Sequence, residues 1–181
     1  MAKTTTDKHL FEASAEIEIA ALREIVYAVV TDLPRSGEWS TECRGGEWIE
    51  GAPATTGSVF RGHNERSPDV VAWAPVVRGE WSTEAEVVAA DAPSLFSWAM
   101  RTRSGQAQDS IWTYELLENG PKTILRHQFR MGEATEGIRG IVADLDQDGR
   151  DRFFREWGVK IEQDMAATVR RIKAVVEAAG R

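Results

Sequence analysis

Few side chains in this sequence could carry chemistry, and they are scattered. Apart from His9 near the N-terminus, the histidines are His63 and His127. Neither has a partner at a metal-ligand spacing such as His-x-x-x-His. His127 falls on the apolar phase of an alternating stretch. There an imidazole would hydrogen-bond a ligand carbonyl, relay a proton, or serve as a core histidine satisfied by a neighbour. Tyr114 shares a phase with Trp112, and Asn64 shares one with Phe60 and Gly62. His127, Tyr114 and Asn64 are therefore the candidate acid/base and hydrogen-bonding groups, although no motif selects them. The single Cys43 cannot form an internal disulfide, fits a reducing compartment and lacks a partner motif for a nucleophile.

The run Asp144-Leu145-Asp146-Gln147-Asp148-Gly149 opens like a calcium loop, with acids at positions one, three and five and glycine at six. Such a loop closes with a bidentate Glu at position twelve, and here that residue is Arg155. Asp151 stands at position eight, where an apolar residue is usual. The run reads as an acidic turn leading into a helix, and neither a metal nor a cofactor is expected.

These groups must be positioned by regular elements, and the longest lies at the C-terminal end. From Asp151 to Ala179, residues Phe154, Trp157, Ile161, Met165, Val169, Ile172 and Val176 recur every three or four positions, the spacing of one helical face. Asp148 is the expected N-cap and Gly180 the expected stop. Glu156 and Lys160 have the order of a helical ion pair. Gly158 interrupts the helix and signals either a bend or a close approach. Before the helix, Gly132 to Asp146 holds three glycines and reads as a mobile lid or as a short helix, Ile138 to Leu145.

The rest of the chain supplies strands. Leu10 to Ile19 alternates cleanly, as a half-buried strand does. Residues 21 to 33 switch to helical period, and Pro34 is expected to end that helix. Strand-like segments follow at Arg44–Glu50, Ser58–Glu65, Trp81–Ala89, Leu95–Arg103, Ser110–Leu117 and Thr123–Met131, separated by turn residues. Ser67 to Arg78 reads as a long loop with an optional short strand at Val70–Trp73. The expected inward sets are Trp81, Thr83, Ala85, Val87; Phe96, Trp98, Met100; Trp112, Tyr114, Leu116; and Leu125, His127, Phe129, Met131. Glu84, Glu86, Arg101, Arg103, Glu115, Arg126, Gln128 and Arg130 should face water, and a one-residue slip would invert each set.

The 181 residues suit one domain spanning the chain, with residues 1–8 expected to be disordered. The balance of 22 basic against 29 acidic residues gives a net charge of -7 and argues against nucleic acid as partner. There is no signal-peptide core and no apolar run near the roughly 20 residues that span a bilayer, so the expectation is a cytoplasmic protein, monomer or homodimer, without a membrane span. Seven tryptophans against two tyrosines fit either core packing or an aromatic-lined cavity.

One strand, one helix, a meander of strands and a long amphipathic helix make an α+β layout. In order and local pattern this resembles the START-like, or SRPBCC, superfamily of helix-grip proteins, whose polyketide cyclase/dehydrase and lipid-transport members wrap a curved antiparallel sheet around a long C-terminal helix. The matching stretches are Ala21–Asp32, Glu38-Trp39, Gly57–Asn64, the strand from Trp81 closing on Asp91-Ala92-Pro93, Phe96, Trp98, Trp112–Leu116 and the final helix. The resemblance implies an internal cavity that takes a hydrophobic, aromatic or polyketide-like small molecule. Its implied lining is Phe60, Trp81, Phe96, Trp98, Met100, Trp112 and Phe129 from the strands, with Trp157, Ile161 and Met165 from the helix. Members include cyclases, lipid carriers, hormone receptors and self-resistance proteins. Binding is the first expectation; a cofactor-free cyclase or dehydratase and a sequestration protein for a reactive product are the alternatives, since fold does not choose among them.

Overall fold

In the computed structural model, residues 10–180 are described; the expectation of disorder for residues 1–8 lies outside them. The alternation of the first stretch becomes strand β1 (Phe11–Ile19), whose odd-numbered residues face the core. Helix α1 (Arg23–Val30) follows. It stops at Val30 rather than at Pro34. Pro34 instead sits at the start of a 3-10 helix, Leu33–Glu38, where a missing N–H costs nothing because first-turn donors have no intrahelical acceptor.

Six strands then form the meander: β2 (Cys43–Glu50), β3 (Val59–Arg66), β4 (Gly79–Asp91), β5 (Leu95–Arg101), β6 (Ala107–Asn119) and β7 (Lys122–Met131). With β1 they build one antiparallel sheet in the order β1-β7-β6-β5-β4-β3-β2. Residues 67 to 78 form turns with no strand at Val70–Trp73. Arg78 organises this loop by donating to the carbonyls of Pro68, Val70, Val71, Ala74 and Val76, which substitutes for ladder hydrogen bonds.

Register settles the faces. Val87 pairs with Trp98, Trp98 with Trp112, Trp112 with Phe129 and Tyr114 with His127, so the four expected inward sets lie in one layer. Across the other edge, Phe60 pairs with Ala85, and Asn64 with Trp81. Two outward expectations change. Arg101 does lie on the outer face, but its side chain is only 12 % exposed, under Glu50, Glu84 and Glu86. Arg103 falls in the turn after β5, which ends at Arg101.

Helix α2 (Glu136–Val142) occupies the glycine-containing segment, earlier than Ile138–Leu145 because Thr135 caps it by accepting from the Ile138 N–H. The long helix α3 runs Gln147–Ala179. Its N-cap is Asp146, not Asp148: Asp146 has extended backbone and accepts the Gly149 N–H at 2.8 Å, while Asp148 is already in the first turn. Phe153 is the buried phenylalanine and Phe154 only half-buried, a shift of the apolar stripe by one residue. The Glu156–Lys160 pair does not form. Glu156 binds Arg152, and Lys160 binds Asp164 and Glu42.

The helix lies mainly along β1 and β7 and is held at two places along its length. Near its C-terminus, Lys173 donates to the Glu18 carbonyl and Glu177 accepts the Ala20 N–H. Near its N-terminal half, Gly158 meets Phe11: a Cβ there would stand 2.7 Å from the Phe11 ring, so the glycine permits a close approach. None of the described helices is long and apolar enough to cross a membrane.

Two apolar clusters fill the space between sheet and helix. One gathers Ile19, Val26, Val30, Trp39, Phe96, Leu125, Ile172 and Val176 beneath α1. The other gathers Ala74, Val76, Phe129, Met131, Ile138, Phe153, Ile161 and Met165 beneath α2 and the 67–78 loop. Fully burying one such aliphatic side chain stabilises the fold by about 1.5–3 kcal/mol.

Candidate functional site

Between the two clusters the inward face of the sheet is only partly covered. Trp81, Trp98, Met100 and Trp112 are half-buried there, as are Asn64 and Thr83. The aromatic rings touch in sequence: Trp98 lies 5.2 Å from Tyr114, Trp112 lies 4.2 Å from Phe129, and both indoles stack near His127, at 6.2 and 5.6 Å. Such a layer arises because each of these residues occupies an alternate position on its strand, in register with its neighbours.

His127 sits in the middle of that layer at 4 % exposure. Its Nδ1 lies 3.1 Å from the Thr113 carbonyl oxygen. A carbonyl can only accept, so Nδ1 carries the proton and Nε2 carries a lone pair. Burial pushes the imidazole down to about 4, against the opposing effect of the Thr113 hydrogen bond. His127 is thus neutral near neutral pH. The Tyr114 phenol is pushed up by burial, with the Trp39 indole N–H acting the other way. Asn64 is anchored to its own sheet: its amide nitrogen donates to the Thr83 hydroxyl at 3.0 Å and to the Gly62 carbonyl at 3.3 Å. The structure therefore brings Tyr114 and His127 together, 4.4 Å between ring centres, and leaves Asn64 on a more distant strand of the same face.

The expected lining divides. Phe60 and Phe96 are core, with Phe96 fully buried. Phe129, Ile161 and Met165 belong to the second cluster. Trp98, Met100 and Trp112 form the half-buried floor. Trp81 and Trp157 stand at its rim, where they clamp the Arg66 guanidinium, 4.3 and 5.0 Å from the ring centres.

That rim holds residues the sequence reading passed over. Arg66 grips Glu42 through two hydrogen bonds, at 2.7 and 2.9 Å, and donates to the Val77 carbonyl. Lys160 reaches the same Glu42 and also Asp164, both at 2.6 Å. Burial works to raise the Glu42 carboxyl, but hydrogen bonds and charge from Arg66 and Lys160 outweigh it and hold it below the ordinary range. The cluster ties the residue before β2, the end of β3 and α3 together along one side of the floor. One signal was available: Arg66 is in phase with Phe60, Gly62 and Asn64, a charge on an inward face. Nearby, the Trp73 indole donates to Glu156 at 2.6 Å and lies under Arg152, fixing the 67–78 loop to α3.

The remaining candidates are structural. Cys43 is half-buried, 3.2 Å from the Ser36 hydroxyl. His63 lies on the outer face between Ser82, at 3.3 Å, and Glu47, at 3.0 Å. All three side chains lie on the exposed outer face, on the other side of the sheet from the aromatic layer. Asp146 is a helix cap, and among the described residues no group of three His, Cys, Asp or Glu is placed to hold a metal. Open depressions lie beside Arg170, Lys173 and Glu177, about 340 Å³, and against Glu12, Ser14, Thr113, Gln128, Phe129 and Glu162, about 620 Å³. Neither includes Trp98, Trp112 or His127 among its lining residues.

A curved antiparallel sheet closed by one long C-terminal helix, with an aromatic floor between them, defines a helix-grip protein. The chain belongs to the polyketide cyclase/dehydrase and lipid transport family, whose model matches residues 11–177. A polyketide-cyclase-like protein of Corynebacterium glutamicum is 24 % identical, with a TM-score of 0.59, 95 % of this chain and 94 % of that one covered. An aromatase/cyclase of Streptomyces sp. R1128 is 13 % identical at a TM-score of 0.63, with 94 and 96 % covered. A conserved protein of Geobacillus kaustophilus is 16 % identical at 0.64, with 93 and 97 % covered. No curated protein matches the chain.

Proposed function

We propose that this protein holds a flat hydrophobic molecule, aromatic or polyketide-like, between its sheet and α3. The observation that carries the reading is the half-buried floor of Trp98, Met100 and Trp112 beside two closed apolar clusters. Large apolar side chains are left partly uncovered on an inward face where packing alone would have sealed them. Membership of the family and the likeness to an aromatase/cyclase support the aromatic class.

Cyclisation is the second reading, and Tyr114 with His127 is the pair that would serve it. A buried imidazole near 4 is a weak base at neutral pH, and a phenol pushed upward is a weak acid. Sequestration of a reactive product uses the same floor and would differ by leaving a covalent adduct. Native and denaturing mass spectrometry of protein from its own cells tests all three. The expected result is a co-purifying small mass that is lost on denaturation and absent from Trp98→Ala. A bare protein whose tryptophan emission responds to no polycyclic aromatic compound would overturn the reading.

A further inference from the structure

This inference rests on the proposed binding of an aromatic molecule at the Trp98–Trp112 floor, and it concerns which such molecules are chosen. His127 is more than nine-tenths buried, and its Nδ1–H is committed to the Thr113 carbonyl. Its Nε2 has no hydrogen-bond partner among the described residues. Among those residues the one fully enclosed side-chain nitrogen or oxygen left without a partner is Arg101 Nη1, on the opposite face of the sheet. Nε2 is therefore not sealed in by protein; it borders free space beside two half-buried indoles.

We infer that His127 is the specificity-determining residue of the floor, accepting through Nε2 a hydrogen bond from an O–H carried by the ligand's ring system. The class selected is phenols and enols. A carbonyl, an ether or a carboxylate has no proton to give, and the locked tautomer has none to offer back. The hydrogen bond that a sequence view would draw, from imidazole to a ligand carbonyl, thus runs in the opposite direction. Trp98 and Trp112 supply the flat apolar contact on either side, which does not distinguish a phenol from its methyl ether. Discrimination falls to the one acceptor between them. A site built to bond a hydroxyl rejects the analogue lacking it, because its own polar group is then left unpaired.

The test compares 2-naphthol with 2-methoxynaphthalene, binding being followed by tryptophan emission and calorimetry. The wild-type protein should prefer 2-naphthol by about five- to tenfold, the worth of one neutral hydrogen bond. In His127→Leu, checked for folding by its melting curve, the preference for 2-naphthol over the ether should vanish. Where that variant does not fold, the wild-type protein decides: the Nε2 nitrogen-15 resonance of His127 should move with 2-naphthol and stay with the ether. Equal affinity for the two compounds, or an unmoved resonance, overturns the assignment while leaving the binding reading intact. Binding of neither compound overturns that reading and the assignment with it.

Discussion

The interior has two halves that use the same residue types to opposite ends. Under α1, Trp39 is buried to 1 % exposure in a cluster with Ile19, Val26, Val30, Leu33 and Phe96. On the middle of the sheet, Trp98 and Trp112 stay half-buried beside the unpartnered edge of His127. The first half is closed by α1, by the 3-10 helix and by Lys173 and Glu177 tying α3 to the end of β1. The second faces a rim of charged and aromatic side chains: Glu42, Arg66, Lys160, Trp81 and Trp157. The same residue type is sealed in one half and left half-buried in the other.

The contrast is open to attack. The largest expected effect is at the sealed half: Trp39→Ala should cost about 3–5 kcal/mol of stability, because a cavity opens where nothing can collapse into it. At that size the melting temperature falls by about 10 °C or more. Trp98→Ala should cost well under half as much and weaken an aromatic ligand by about tenfold or more, as loss of a central anchor does. Equal stability losses with unchanged affinity would make the floor ordinary core and dissolve the contrast.

The second attack uses pH. His127 has an ordinary value of 6.5 when unfolded and about 4 when folded. Between those values the unfolded chain binds a proton that the folded one refuses, so stability falls as pH falls through the window, by up to about 3 kcal/mol. Glu42 acts lower: its depressed carboxyl contributes above the unfolded value of 4.5 and loses that contribution on further acidification. Melting curves from pH 7 to 4 should show the upper loss in the native protein and not in His127→Leu. Parallel curves would mean that burial does not hold the His127 imidazole down.

The smallest effect is at the start of α3. Asp146→Ala should cost about 1 kcal/mol through loss of the cap on Gly149. Calcium should leave the melting temperature of the native protein unchanged, and a saturating rise would restore the acidic run as a metal loop.

The fold was legible because its periods are clean. Alternation in Phe11–Ile19 and in the three strands after Asp91 identified the inward layer residue by residue. What escaped depended on contacts between segments far apart in sequence. Asp148 and Asp146 look alike as caps until the backbone before Gln147 is known. Lys160 has an acid four residues away on each side, and only the fold shows that it turns to Asp164 and Glu42. Arg66 escaped because its partners come from positions 42, 77, 81 and 157. Phase placed His127 on the inward layer, but its tautomer is set by a carbonyl on the neighbouring strand.

The pairing of β1 with β7 has a consequence for synthesis. Each residue of β1 waits for a partner made about 110 residues later, as Glu16 and Arg126 illustrate. Between the two events the ribosome extends the whole meander, while an alternating strand with one apolar face stands unpaired. Such long-range closure slows folding and exposes a sticky edge during it. Glu16 and Glu18 on the outer face of β1 carry like charges that discourage edge-to-edge association of neighbouring nascent chains before Arg126 and Lys122 arrive to pair with them.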